Sequence, residues 1–135
     1  ITIKPHPTMN FNIIKKYLGI FIYKINISFK PINYDFKRCD ILITSMSITS
    51  MEALVLGIPV IIFERNSIFN YIPIPDYIDS SLWRINKIDQ NLYENILFFE
   101  NNYKNNDNIK NNSLKENYFM QPNELETVNF LNLDE

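Results

Sequence analysis

The hydrophobic and polar positions fall into short alternating blocks. The clearest block covers residues 40–63, DILITSMSITSMEALVLGIPVIIF. Asp40-Ile41-Leu42-Ile43 is a brief apolar run with β-branched members, as expected of a strand buried on both faces. Five hydroxyl residues follow in the seven positions 44–50. Thr49 with Glu52 three positions on has the capping-box spacing, which predicts a helix starting near Thr49. Ile48, Met51 and Val55, with Leu54 beside them, form its inward face. Gly57 is placed to end the helix in a left-handed conformation, and Val60-Ile61-Ile62-Phe63 supplies the next strand. Strand, helix and strand at this spacing predict a βαβ unit with parallel strands and a right-handed crossover.

Weaker patterns flank this unit. Residues 1–4 read as a strand, and residues 10–17 as a short helix with Phe11, Ile14 and Leu18 inward and Gly19 ending it. Residues 20–27 (IFIYKINI) alternate enough for one strand, centred on 26–29. One helical turn is expected in 32–38. Leu82-Trp83-Arg84-Ile85 reads as another strand, and Asp89 as the cap of a helix reaching Asn101, with Leu92, Ile96 and Phe99 apolar. Residues 67–77 form a proline-punctuated aromatic loop and 101–112 an asparagine-rich, low-complexity stretch. A last helix starts at Pro122 or Asn123. The expected fold is α/β, a Rossmann-like parallel sheet flanked by helices, with strands near 1–4, 26–29, 40–43 and 60–63. Residues 1–117 are expected to form the domain, and 118–135 a C-terminal helix and tail.

Chemistry is concentrated at two turns. A helix start after a parallel strand presents unpaired N–H groups and a positive dipole end, which suits phosphate. Here Ser45, Ser47, Thr49 and Ser50 add hydroxyl donors, and Glu52, one turn further on, could reach a ribose diol. The same residues also serve as ordinary helix caps. The other turn is Pro5-His6-Pro7-Thr8, which holds the single histidine between two prolines. A histidine at the carboxyl end of a strand could donate to a phosphate, or it could be a plain surface residue. Arg65, after the 60–63 strand, is a further possible anion partner.

Length and charge narrow the classes. A chain of 135 residues supports one domain with a core, and a net charge of −2 does not suggest a nucleic-acid surface. A single cysteine rules out a disulfide framework, and one His with one Cys leaves no imidazole or thiolate metal site. No apolar run approaches the roughly 20 residues needed to span a bilayer. A cytoplasmic setting is expected, with at most peripheral attachment at the inner face of the cell membrane. The start at Ile1, with a strand at once, suggests a piece of a longer protein.

The motifs KPHP at 4–7, DILITS, the Ser/Thr turn and EALVLGIPVIIF, in this order, resemble the C-terminal half of GT-B glycosyltransferases that build bacterial surface carbohydrates. They are similar to the HP and S motifs of sialyltransferase and polysialyltransferase-type enzymes. The Thr49, Glu52 and Gly57-Ile58-Pro59 spacing resembles the donor half of MurG-type N-acetylglucosamine transferases. The resemblance implies a single GT-B half-domain that binds a nucleotide-sugar as substrate, without a cofactor or metal. It implies that His6 contacts the donor phosphate, that Ser47 and Thr49, with Ser45 and Ser50, hold phosphate, and that Glu52 binds ribose hydroxyls. A carbohydrate or lipid-linked acceptor and a missing N-terminal half complete the expectation. Two other readings stay open: a UDP-sugar 2-epimerase-like domain, and a non-catalytic nucleotide-binding or interaction module.

Overall fold

The structure is a computed structural model that describes residues 1–45, 47–64, 72–76 and 78–103. Arg65, most of the 67–77 loop, the asparagine-rich stretch beyond 103, the boundary near 117 and the last helix lie outside the described residues. The chain divides into two compact units, one spanning Ile1–Cys39 and the other beginning at Asp40.

In the first unit, strand β1 (Thr2–Ile3) pairs in parallel with β2 (Asn26–Ile27), Thr2 opposite Asn26 and Ile3 opposite Ile27. Parallel neighbours need a crossover, and helix α1 (Phe11–Leu18) with a following 3₁₀ helix (Gly19–Lys24) provides it. Asn10 caps α1 by accepting from the Asn12 N–H at 2.9 Å, and Gly19 ends it at φ 50°. Ile14 is buried, with Phe11 and Leu18 half-buried on the same stripe, as the periodicity predicts. The 3₁₀ helix takes up the first part of the weakly alternating 20–27 stretch, and the strand forms at Asn26–Ile27, within its expected centre at 26–29. The side chains of the 3₁₀ helix are largely exposed, so the weak alternation of IFIYKI has no covered face to settle against. Helix α2 (Ile32–Phe36) closes the unit and buries Phe36. Asp35 on α2 accepts from the Ser28 hydroxyl at 2.8 Å and pairs with Lys4 at 3.5 Å, tying together the residues that follow β1 and β2.

In the second unit, β3 (Leu42–Thr44), β4 (Val60–Phe63) and β5 (Trp83–Asn86) form a parallel sheet in the order β3-β4-β5. Leu42 lies opposite Val60, and Val60 opposite Trp83. The parallel ladders are therefore two small sheets, where the sequence led us to expect one sheet of four strands. The strand buried on both faces is β4, not the DILI run. Val60, Ile61 and Ile62 are all buried, whereas β3 is an edge among the described residues, with Ile43 exposed. Full burial of such side chains stabilises by about 1.5–3 kcal/mol each, so β4 is the core of this unit.

Helix α3 (Thr49–Val55) crosses from β3 to β4 and buries Ser50, Met51, Ala53 and Leu54. Ile48, expected inward, is exposed, because it precedes the first helical turn. The helix ends in a Schellman motif: the Ile58 N–H donates to the Ala53 carbonyl and the Gly57 N–H to that of Leu54, both at 2.9 Å. Gly57 has φ 75°, a conformation that costs a side-chain-bearing residue about 1–2 kcal/mol. This is the left-handed exit expected at that position.

Helix α4 (Leu92–Tyr103) follows β5. Its cap is Asn91, not Asp89, with Asn91 Oδ1 accepting the Tyr93 N–H at 3.0 Å. Asn95 and Phe99 are buried on it, and Asn95 donates at 2.9 Å to Asn86, itself buried at the end of β5. The Arg84 guanidinium lies over the Phe98 ring at 4.1 Å.

Candidate functional site

The hydroxyl cluster occupies the turn where β3 leaves the sheet and α3 begins. This is the carboxyl end of a parallel strand, the edge at which open α/β sheets hold ligands. Within the turn, Ser47 is the hub. Its Oγ accepts the Thr49 N–H at 3.3 Å, and its hydroxyl donates to Thr49 Oγ1 at 3.1 Å. Its carbonyl accepts the Ser50 N–H at 3.1 Å and the Ser50 hydroxyl at 2.7 Å.

This pattern corrects the expected capping box. Ile48 holds the N-cap position without a side-chain bond, and Thr49 is already the first helical residue. Ser47 Oγ takes the N–H of the first helical residue, Thr49, whereas an N-cap side chain would take that of the second or third. Glu52 makes no reciprocal bond to the helix start. It is half-buried in the first turn of α3, and its carboxylate has no hydrogen bond or ion pair among the described residues.

The four hydroxyl positions therefore differ in availability. Ser45, Ser47 and Thr49 are half-buried. Ser50 is fully buried, and its hydroxyl proton is committed to the Ser47 carbonyl. It braces the turn from within. Sequence spacing could not separate Ser50 from its neighbours, because all four hydroxyls precede or open the same short helix.

His6 belongs to the first unit and is exposed in the loop after β1. The Thr8 N–H donates to His6 Nδ1 at 3.3 Å, and the Thr8 hydroxyl lies 2.8 Å from the same nitrogen. A backbone N–H can only donate, so Nδ1 accepts and the neutral ring carries its proton on Nε2. The loop is closed by the Met9 N–H donating to the His6 carbonyl at 2.8 Å. His6 is thus held with a donor on its outer nitrogen, which is the form that can give a hydrogen bond to an anion.

Two polar groupings went unread in the sequence. Ser28, Asp35 and Lys4 form one, and Asn86 with Asn95 forms the other, with Asn86 also donating to the carbonyls of Lys87 and Gln90. Both knit elements together, and neither carries a spacing that marks it in the sequence. An open groove lined by Lys15, Gly19, Ile20, Ile22 and Tyr23 includes none of the expected site residues. Among the described residues there is no group of three or more His, Cys, Asp or Glu side chains placed to hold a metal. No helix among them is long and apolar enough to cross a membrane. No family model matches the chain, and neither curated proteins nor solved structures give a significant match.

Proposed function

We propose that the chain is the donor-binding half of a GT-B-type glycosyltransferase of surface-carbohydrate synthesis, a Rossmann-like half-domain acting at the cytoplasmic side. The observation that carries the reading is the parallel β3-α3-β4 crossover, with a hydroxyl-lined turn at the strand's carboxyl end and, one turn along, a carboxylate unengaged among the described residues. Ser47 and Thr49, with Ser45, bind the donor phosphates, and Ser50 braces them. Glu52 accepts from the ribose hydroxyls. His6, in the first unit, enters the proposal on the resemblance alone, as a donor through Nε2 to a donor phosphate.

In the reaction, an acceptor hydroxyl attacks the anomeric carbon of the donor sugar. The new carbon–oxygen bond forms as the bond to the nucleotide phosphate breaks, and the phosphate keeps the electron pair. Hydroxyl donors offset its growing charge electrostatically. The acceptor, a carbohydrate or lipid-linked sugar, loses its proton to a base on a partner half-domain.

Calorimetric titration with CMP, UDP, GDP and CDP tests this reading. One nucleotide should bind, and Glu52→Ala should weaken it. Absence of binding by all four, in the chain joined to its partner half, would leave an interaction module as the better description.

A further inference from the structure

Helix α1 carries two opposed stripes. Phe11, Ile14 and Leu18 turn inward, while Ile13, Lys16, Tyr17 and, one turn on, Ile20 share the outer side. The outer side is apolar but uncovered: Tyr17 is 83% exposed, Ile20 79% and, in the 3₁₀ helix, Tyr23 91%. Lys15, Ile20 and Tyr23 line one open groove, and Lys16 and Lys24 are exposed next to Tyr17 and Tyr23. Aromatic and aliphatic side chains interleaved with lysines form a surface that water solvates poorly at its rings and well at its rim.

The charge is distributed unevenly. Residues 1–39 hold seven Lys and Arg against one acid, a net of +6. Residues 40–135 hold six against fourteen, a net of −8. The exposed apolar corner therefore lies in the cationic part of an acidic chain.

We propose that this corner, built from the outer face of α1 and the 3₁₀ helix, docks on an anionic membrane surface. Tyr17, Ile20 and Tyr23 enter the headgroup region, where tyrosine rings are favoured, and Lys16 and Lys24 pair with lipid phosphates and carboxylates. The proposal uses none of the residues of the hydroxyl turn, so nucleotide titration neither supports nor weakens it.

Vesicle co-sedimentation of the full chain tests the proposal. Vesicles of phosphatidylcholine with about one-third phosphatidylserine should bind the protein, and pure phosphatidylcholine should bind it about tenfold less or not at all. Raising NaCl to about 0.5 M should release it. The variants Tyr17→Ser/Ile20→Ser/Tyr23→Ser and Lys16→Glu/Lys24→Glu should each lower binding about tenfold. Circular dichroism should show both folded, since every altered side chain is exposed. No binding to the anionic vesicles overturns the proposal, as does equal binding by the folded variants. Sedimentation velocity without lipid supplies the other outcome: self-association abolished by the Ser variant, with no vesicle binding, would make the corner an interface between copies instead. The salt and lipid comparisons on the unaltered chain decide the matter should a variant misfold.

Discussion

The Ser50 hydroxyl donates to the Ser47 carbonyl at 2.7 Å from a fully buried position, so two serines of one turn have opposite duties. Ser47 is half-buried and organises the helix start, and Ser50 anchors it to the core. Ser50→Ala should cost about 1 kcal/mol of stability, since the Ser47 carbonyl keeps the N–H of residue 50. Nucleotide affinity should not change. Ser47→Ala should cost about as much stability and lower nucleotide affinity as well. Urea denaturation and calorimetry on the two variants read the split. Equal loss of affinity in both would mean that Ser50 meets the ligand.

Glu52 distinguishes a cap from a ligand. With no bond to the helix start, Glu52→Ala should lose only the dipole interaction, about 0.5 kcal/mol. Nucleotide affinity should fall about tenfold, the worth of a lost hydrogen bond to a charged group. A large drop in melting temperature with unchanged affinity would return Glu52 to a structural role.

The His6 ring should be the Nε2–H tautomer when neutral, because the Thr8 N–H holds Nδ1 as an acceptor. Long-range proton–nitrogen correlation spectra report the tautomer directly. On the proposed transferase reading, His6→Ala should lower turnover more than nucleotide affinity. A predominant Nδ1–H form, or full turnover in the variant, would remove His6 from the phosphate.

Asp79 gives a pH signature. Its carboxylate accepts the Ser81 N–H at 2.8 Å, and hydrogen bonds from the Ser81 backbone and then its side chain lower its pKa. A lowered folded-state pKa favours folding wherever the carboxylate is ionised. That contribution is complete above the ordinary aspartate value of about 3.9 and disappears as pH falls through the lowered one. Wild type should therefore exceed Asp79→Ala in stability at neutral pH, and the gap should narrow only in acid. Melting temperatures across pH 7 to about 2 measure it. A gap independent of pH would place the effect elsewhere.

The sequence was most readable where backbone and pattern agreed. Gly57, Ile58 and the β-branched run after Pro59 each favour the same exit and strand, and the left-handed exit forms as expected, closed by Schellman bonds. The Phe11, Ile14 and Leu18 stripe was equally legible, while Asn10, read as the first helical residue, is the cap. The 3₁₀ helix was not, because alternation means a strand only when a sheet edge is there to receive it. The capping box failed for a different reason. Ser47 lies two residues before Thr49 and reaches the first free N–H sooner, which leaves Glu52 without its usual partner. Asn91 displaced Asp89 as the α4 cap because Gln90 is held by its own turn, donating its N–H to the Lys87 carbonyl and accepting the Lys87 N–H through Oε1. At the hydroxyl turn the residue types were visible but their burial was not, since burial depends on which side of a two-turn helix meets the sheet.

Strand β4 has its two ladders filled by segments far from it along the chain, Leu42 through Thr44 on one edge and Trp83 through Asn86 on the other. Neither ladder can be assembled by a local hairpin, so loop-closure entropy must be overcome before either contact forms. The amide protons of Ile61 and Ile62 should then exchange with solvent only when the whole second unit opens, and they will serve as its slowest clock. Exchange of those amides as fast as the β3 edge would mean that the strand opens by itself.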